Sequence, residues 1–123
     1  MNFAVGDACT LEFEDESFDL VCAFDLYEHL SPSGLEKALS ETLRVAKDEV
    51  WISFFNAEDR TAHQFEEVGD YHWNLLSLGQ LGASIGRAGF EVDSISVSHE
   101  LERRFPDYGH YNSEAYLLTA TRM

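Results

Sequence analysis

Two nearly continuous apolar runs mark the strands that the chain is expected to bury. The first run covers residues 18–24, and the second covers residues 50–55, where aromatic and β-branched residues dominate. Apolar character on both sides of a strand is typical of a parallel sheet whose two faces are covered. The pattern therefore predicts two strands of such a sheet, with residues 18–24 in a central position.

A helical stripe lies between these two runs. Ser31-Pro32 supplies an N-cap with proline at the first helical position, and Ser33 with Glu36 offers an alternative capping box. Apolar residues then recur at i, i+3, i+4 spacing along one predicted buried face, which consists of Leu35, Ala38, Leu39, Leu43 and Ala46.

The second half of the chain repeats the order of helix and strand. Ser77 and Gln80 form another capping-box pattern, and Gly89 stands where a left-handed residue ends a helix. One strand is predicted over residues 90–92 and 95–97, with a register change near Asp93, and a last strand is predicted over residues 115–120. Alternating helices and strands indicate an α/β fold, and the length fits one domain over residues 1–123.

Residues 57–74 interrupt this order. They show no clear period and contain several aromatic and histidine side chains. The sequence therefore predicts a long loop with some helix here, and long loops in compact domains are often functional.

The charge of the chain narrows the classes of partner. Asp and Glu number 23 against 8 Lys and Arg, which gives a formal net charge of -15. A protein that binds nucleic acid needs basic residues to replace the counterions of the phosphates, so a DNA or RNA substrate is not expected. An ordinary acidic cytosolic protein and a protein adapted to very high salt both fit this charge.

The remaining composition favours a soluble cytoplasmic protein without a metal. Cys9 and Cys22 lie in apolar stretches without CxxC spacing, so both are predicted to be small core residues. The sequence shows no signal-like opening segment and no apolar run long enough to span a bilayer. His99-Glu100 and Glu28-His29 lack the spacing of metal-binding motifs, so no metal site is predicted.

Several segments, taken in order, carry a family resemblance. They are residues 5–8 (Val-Gly-Asp-Ala), 11–13 (Leu-Glu-Phe), 17–21 (Ser-Phe-Asp-Leu-Val), 25–30 (Asp-Leu-Tyr-Glu-His-Leu), 43–47 (Leu-Arg-Val-Ala-Lys) and 88–92 (Ala-Gly-Phe-Glu-Val). Together they resemble the carboxyl-terminal half of a class I S-adenosylmethionine-dependent methyltransferase. The resemblance implies a Rossmann-like three-layer α/β sandwich, in which a mostly parallel sheet has an antiparallel last strand.

The resemblance also implies a cofactor site. In that family the residue matching Asp7 accepts a hydrogen bond from the adenine amino group of S-adenosylmethionine, and the amide of Ala8 meets the ring nitrogen. Phe24 and Asp25 end a predicted strand, where open α/β sheets bind ligands, so they are assigned to the cofactor's methyl-donor end. The alternatives are that Asp7 caps a turn and that Phe24 packs in the core.

Candidate catalytic residues follow in the same segment. The sulfonium is cationic, so the rings of Phe24 and Tyr27 and the carboxylate of Asp25 favour it electrostatically. Methyl transfer depends mainly on positioning, and a general base is optional. For a hydroxyl acceptor, His29 is the candidate base, with Tyr27 beside it. The alternatives are core packing for Tyr27 and loop capping for His29.

The predicted loop resembles the variable substrate lid of the family. Its candidate residues for a small-molecule substrate are His63, Tyr71, His72 and Trp73. The alternative is that these side chains simply pack a partly exposed lid.

One departure from the family affects the predicted activity. The family's glycine-rich cofactor turn, and the acidic residue that holds its ribose, have no counterpart in the sequence. A non-catalytic or partner-dependent methyltransferase fragment is therefore the second functional hypothesis. Strand 19–24 also needs a neighbour, so we expect residues 2–6 to pair beside it in parallel, or a second chain to cover its edge.

Overall fold

The computed structural model describes residues 2–55, 60–107 and 112–123. The elements in these ranges are β1 Phe18–Phe24, a 3₁₀ turn Tyr27–His29, α1 Pro32–Val45, β2 Ala46–Phe54, β3 Glu67–Val68, β4 Tyr71–His72, α2 Leu78–Arg87, β5 Phe90–Ser96, α3 Val97–Arg104 and β6 Tyr116–Arg122.

The main sheet has four strands in the order β1-β2-β6-β5. β1 and β2 are parallel, while β6 runs antiparallel to both of its neighbours, β2 and β5. Three strands therefore share one direction and the last strand opposes them, which confirms the predicted α/β fold. β3 and β4 form a separate two-stranded hairpin.

The core fills one side of the sheet. The apolar stripe predicted for the first helix is buried there, together with α2 and the inward side chains of the strands, which include Val50, Ile52, Phe54, Leu118 and Ala120. The side chains that alternate with these core residues face the other way. Leu20, Phe24, Trp51 and Ile95 are between 36% and 55% exposed. This second side, with Cys22, is called the uncovered face.

Both predicted helix starts are confirmed by their caps. Ser31 Oγ accepts a hydrogen bond from the amide of Gly34, with Pro32 at the first position of α1. Ser77 Oγ accepts one from the amide of Gln80 at the start of α2. Gly89 has a φ of 96°, the left-handed conformation predicted for the residue that ends α2.

The segment before β1, residues 9–16, lies along α1 and is called the strap. Arg44 Nη1 donates to the carbonyl of Phe13 (2.7 Å) and to Asp15 Oδ1 (2.9 Å), and its Nη2 donates to the carbonyl of Leu11 (3.0 Å). Glu41 orients the guanidinium and accepts from the amide of Leu11 (2.7 Å). The hydrogen bonds from Arg44 and Leu11 lower the pKa of Glu41 to about 2.

Replacing Arg44 with methionine should release the strap. Methionine keeps an apolar stem but has no N–H donor, so the carbonyls of Leu11 and Phe13 lose their charged partner. We expect hydrogen exchange at the amide of Leu11 to become several-fold faster. Arg87→Met is the control, because Arg87 bonds only to Ser84 on the exposed side of α2 in the described contacts. Unchanged exchange at Leu11 in the Arg44 variant would contradict this account of the strap.

The predicted pairing of residues 2–6 with β1 is wrong. These residues form no strand, and Phe3 and Val5 are almost fully exposed. The reason is that Arg44 and Glu41 fix the strap against α1, and a connection this short does not support a parallel crossover. β1 is consequently an edge strand of the described sheet rather than a central one.

Other local predictions also need correction. β5 continues without a register change at Asp93, because each of its residues pairs in sequence with β6. Residues 97–104 form α3, capped by Ser96, which accepts from the amide of His99. The described part of the predicted loop holds the β3–β4 hairpin rather than a helix. Cys22 is exposed on the uncovered face instead of buried.

Within the described ranges, no helix is both long and apolar enough to cross a membrane.

Candidate functional site

The carboxyl ends of β1 and β2, together with the first residue of α3, border a cavity of about 390 Å³. Its lining comes from the turn after β1, the end of β2, the start of α3 and the start of β6, and it includes Phe24, Asp25, Ser53, Phe55, Val97 and Tyr116. Open α/β sheets bind their ligands at this end of the strands. The structure therefore brings two predicted cofactor residues, Phe24 and Asp25, to one apolar cavity.

Asp25 has an unusual backbone conformation. Its φ is 53°, in the left-handed region that few non-glycine residues adopt. Its amide donates to the carbonyl of Ser53 (3.0 Å), which ties the end of β1 to β2. Strain of this kind is often found at functional sites. Aspartate tolerates the conformation better than most residues and also adds a carboxylate beside the cavity.

Tyr27, predicted as a catalytic residue, lies in the core instead. Its side chain is fully buried, and its hydroxyl shares a 2.6 Å hydrogen bond with Thr42 Oγ1 on α1. Burial raises the pKa of Tyr27 to about 12. A buried hydroxyl that is already bonded to a helix does not reach a substrate, so the structure does not support a catalytic role for Tyr27.

Glu28 is buried beside Tyr27. Its Oε2 accepts from the amide of Phe55 at the end of β2 (3.0 Å), whereas Oε1 has no hydrogen-bond partner among the described residues. Burial raises the pKa of the Glu28 carboxyl, and the amide of Phe55 opposes this shift. The sequence draws attention to Glu28 only as part of the Glu28-His29 pair, and it does not indicate burial of this carboxyl, because exposed and buried glutamates look alike in a sequence.

His29 is held by the β3–β4 hairpin. Its Nδ1 lies 3.3 Å from the carbonyl of His72, and its ring packs edge-on against Trp73 (5.2 Å between centroids) and Tyr71 (6.4 Å). Because a carbonyl only accepts, this hydrogen bond assigns the proton to Nδ1 and leaves Nε2 as the acceptor. The structure thus brings together four of the predicted residues, His29, Tyr71, His72 and Trp73.

Asn74, which no sequence pattern singles out, fixes the turn that carries His29. Its amide donates to the carbonyl of Glu28 (2.7 Å), and its Nδ2 donates to the carbonyls of Tyr27 (3.2 Å) and Leu30 (2.6 Å). Its Oδ1 accepts from the amide of Glu66 across the hairpin (3.4 Å). A fully buried asparagine therefore forms hydrogen bonds to the backbone on both sides of His29.

Asp7 and Ala8 lie just before the strap. Asp7 is exposed, and its Oδ1 accepts from the amide of Cys9 (2.9 Å), while its carbonyl accepts from the amide of Thr10 (3.0 Å). The turn-capping alternative therefore describes Asp7 in this structure. Cys9 Sγ lies 3.5 Å from the carbonyl of Gly34 in the first turn of α1. The contact places Asp7 and Ala8 near the beginning of that helix.

His63 packs in a different place from the His29 cluster. Its Nδ1 accepts from the amide of Ser77 (2.8 Å), its own amide donates to Gln80 Oε1 (2.7 Å), and its ring packs against Phe65. Burial lowers its pKa. It lines a groove between α1 and α2, so its contacts support a structural role at the start of α2.

No group of three or more His, Cys, Asp or Glu side chains in the described ranges is arranged to hold a metal ion. This finding concerns only residues 2–55, 60–107 and 112–123.

Sequence comparison gives one family match. Residues 1–54 match a family model described as a methyltransferase domain. No curated protein sequence matches the chain.

Solved structures match over nearly the whole chain. The 1,6-didemethyltoxoflavin-N1-methyltransferase of Burkholderia thailandensis, solved with S-adenosylhomocysteine, has a TM-score of 0.63 and 17% identity; the match covers 94% of this chain and 48% of that one. The [4+2]-cyclase SpnF has a TM-score of 0.62 and 23% identity, and the match covers 98% of this chain and 55% of that one. An S-adenosylmethionine-dependent methyltransferase from Methanosarcina mazei has a TM-score of 0.65 and 12% identity, and the match covers 98% of this chain and 66% of that one.

The chain thus spans between 48% and 66% of the length of these three structures. Their low identity bears on the fold alone, and the family model adds a match to the first part of the sequence. The strand directions, the cavity at the carboxyl ends of the strands and these matches agree. The chain has the class I S-adenosylmethionine-dependent methyltransferase fold, and its residues 1–54 match the methyltransferase-domain family.

Proposed function

We propose that this chain takes part in methyl transfer from S-adenosylmethionine to a small-molecule acceptor. The observation that carries the proposal is the apolar cavity at the carboxyl ends of β1 and β2, bordered by Phe24 and Asp25. The match of residues 1–54 to a methyltransferase family supports the same chemistry.

The residues around the cavity fit the methyl-donor end of the cofactor. S-adenosylmethionine supplies an electrophilic methyl group on a cationic sulfonium. The exposed ring of Phe24 offers an aromatic face to such a cation, and the carboxylate of Asp25 offers the opposite charge. Ligand pockets commonly measure about 300–1,000 Å³, and the cavity of about 390 Å³ lies at the lower end of that range.

The adenine end has a weaker fit. Asp7 already uses Oδ1 to bind the amide of Cys9, so only its second oxygen remains for a ligand if the turn is kept. The glycine-rich turn expected in the family has no counterpart in the sequence. We therefore expect the chain by itself to bind the cofactor weakly.

His29 is the proposed base for a hydroxyl or protonated acceptor. Its hydrogen bond to the carbonyl of His72 leaves Nε2 to accept a proton. Tyr71 and Trp73 flank the ring and are about half exposed, so an acceptor approaching His29 would meet them first. This role gives the hairpin a function in acceptor binding. His63 is not part of it.

Calorimetric titration tests the proposal directly. S-adenosylmethionine and S-adenosylhomocysteine should each bind the purified chain, with the weak affinity expected for an incomplete site. The absence of heat and of amide NMR shifts near Phe24 at millimolar ligand would contradict cofactor binding by the chain alone.

Replacing Asp25 with asparagine should weaken this binding. The amide has nearly the same shape and tolerates the left-handed backbone, but it lacks the charge that favours a cation. We expect S-adenosylmethionine to bind about fivefold to tenfold more weakly, and the uncharged thioether product to change little. Asp19→Asn, an exposed position on β1, is the matched control. Equal losses for both ligands would count against the sulfonium contact.

A non-catalytic or partner-dependent role is the alternative. The chain spans only about half the length of two of its structural neighbours, and one neighbour with the same fold is described as a cyclase. Binding of the cofactor without turnover of any small-molecule acceptor would favour this alternative. Methyl transfer by the chain alone would exclude it.

A further inference from the structure

The segments around His29 contain acidic residues and no lysine or arginine. Residues 25–36, from the end of β1 into α1, include three acidic residues, and residues 61–86, which include the β3–β4 hairpin, include another three. Arg60 precedes the second range, and its carbonyl accepts from Ser77 Oγ, which holds its backbone at the start of α2. The surroundings of His29 are therefore rich in negative charge.

The carboxylates of the hairpin have no lysine or arginine partner in the part of the chain that the structure describes. Glu67 Oε1 lies 4.0 Å from Nε2 of His72. Glu66 Oε1 accepts from Nε2 of Gln64 (3.1 Å). Asp70 stands in the turn between β3 and β4. These charges are thus not neutralised by a permanent cation of the described chain.

Two aromatic rings of the same hairpin pack against His29. The ring centroid of Trp73 lies 5.2 Å from that of His29, and the centroid of Tyr71 lies 6.4 Å from it. The faces of tryptophan and tyrosine attract cations, tryptophan most strongly. Aromatic faces combined with carboxylates suit an ammonium group better than a neutral or anionic one.

The turn after β1 connects His29 with the cavity that borders Asp25. Glu28 Oε2 accepts from the amide of Phe55, another residue of the cavity wall. Burial raises the pKa of Glu28, and smaller effects of Asp25, which raises it, and of His29, which lowers it, show that this carboxyl lies within electrostatic reach of both. Its buried Oε1 has no hydrogen-bond partner among the described residues. An ammonium group brings up to three N–H donors to such a turn, whereas a hydroxyl brings one.

We propose that the methyl acceptor is a protonated amine held by the hairpin, an inference that rests on the methyl transfer proposed above. Nε2 of His29 takes one proton from the ammonium group, and the lone pair that this frees on nitrogen attacks the methyl group. The N–C bond forms as the S–C bond breaks, and the electron pair of that bond stays on sulfur, which becomes a neutral thioether. His29 then releases its proton to water.

The negative surroundings distinguish an amine from a hydroxyl acceptor. Proton transfer from an ammonium group to imidazole leaves one positive charge beside the carboxylates before and after the step. Proton transfer from a hydroxyl creates an anion, which the same carboxylates repel. The charge of the site therefore favours an amine both in binding and in proton transfer.

Titrations without cofactor test the class of acceptor. 2-Phenylethylamine and 2-phenylethanol have nearly the same shape, but only the amine is protonated near neutral pH. Butylamine and 1-butanol repeat the comparison without an aromatic ring. We expect each amine to shift the NMR signal of the Trp73 indole N–H at about tenfold lower concentration than its alcohol.

Trp51 is the internal control for this titration. Its Nε1 donates to Glu49 Oε2 on β2 (3.2 Å), so its indole also has a carboxylate beside it but lies outside the hairpin cluster. The amine should shift the Trp73 signal and leave the Trp51 signal nearly unchanged. Equal shifts of both indoles, or no preference for the amine in either pair of compounds, would overturn the proposal.

Glu67→Gln combined with Asp70→Asn tests whether the charge of the hairpin is responsible. Both residues are exposed, and this double variant should reduce the preference for the amine several-fold. Glu91→Gln with Asp93→Asn is the control, because it removes the same charge from two exposed positions on β5. Equal reductions in both double variants, each folded by circular dichroism, would assign the attraction to the net charge of -15 and overturn the proposal.

Calorimetry with S-adenosylmethionine separates this inference from the proposed function. Cofactor binding without a preference for the amines would exclude the amine as acceptor and leave methyl transfer in place. A preference for the amines without cofactor binding would contradict methyl transfer by this chain and, with it, the role of the amine as acceptor. Both kinds of binding together are the expected result.

Discussion

Replacing Asn74 with leucine is expected to lower the free energy of unfolding by about 2–4 kcal/mol, because buried hydrogen-bonding groups lose their partners. Leucine fills a similar volume but removes Nδ2 and Oδ1. The carbonyls of Tyr27 and Leu30 then lose a donor, and the amide of Glu66 loses its acceptor. Urea denaturation followed by circular dichroism measures the change.

Asn112→Leu is the matched control for this substitution. Asn112 also accepts from a backbone amide, that of Glu114, but it is exposed, so its loss should change stability by less than about 0.5 kcal/mol. The Asn74 variant has a second expected effect, because the turn that carries His29 loses the hydrogen bonds from the Asn74 side chain. NMR of the His29 ring should show the Nδ1-protonated form giving way to a mixture of tautomers. A ring that keeps its tautomer would contradict the positioning role of Asn74.

The elements of the fold could be predicted from the sequence because local patterns determine them. Capping by Ser31 and Ser77 uses residues within one turn of each helix, and the apolar stripe of α1 is a property of the segment itself. The surroundings of a strand are not local. Residues 18–24 are apolar on both sides, yet β1 is an edge strand whose second side is uncovered. The apolar pattern indicates that a strand can be covered on both sides, but it does not indicate which neighbouring strands and helices are present.

Some residues of the candidate site could likewise be predicted from local patterns, whereas the positions of others depend on contacts that are distant in the sequence. The order of motifs predicts that Phe24 and Asp25 lie at the end of a strand, and in the structure β1 ends at Phe24 and both residues border a cavity. Tyr27 is adjacent in sequence, but its hydroxyl turns into the core because Thr42, fifteen positions away on α1, accepts or donates the hydrogen bond. Asn74 lies more than 40 positions from the carbonyls it binds. Contacts over such separations leave no periodic trace, so pattern analysis does not find them.

Asp25 and Glu28 show the cost of this arrangement. One has a left-handed backbone at the end of β1, and the other is a buried carboxyl with an unpartnered oxygen. Both features reduce stability, and both occur within one short turn beside the cavity. Functional sites commonly retain such unfavourable features, because activity and stability impose different demands on the same residues.

Replacing Glu28 with glutamine should therefore change how stability depends on pH. Burial raises the pKa of Glu28 in the folded state above the ordinary value of 4.5. At pH values above 4.5 and below the raised pKa of the folded state, the Glu28 carboxyl keeps a proton in the folded chain that it has released in the unfolded chain. The stability of the folded chain therefore falls as pH rises through this range. Glutamine does not titrate. Its Oε1 still accepts from the amide of Phe55, so the connection to β2 is preserved.

The difference in unfolding free energy between the Glu28→Gln variant and the parent chain should thus shift in favour of the variant as pH increases from 4.5 toward neutrality. Urea unfolding of both proteins at several pH values measures this difference. The other titrating groups are present in both proteins, so their contributions to the pH dependence cancel when the two free energies are subtracted. Glu36→Gln is the control on the exposed side of α1, where the same loss of charge should give a nearly constant difference. A constant difference for the Glu28 variant as well would mean that its carboxyl is ionised in the folded chain as readily as in the unfolded one, and that water or another group reaches Oε1.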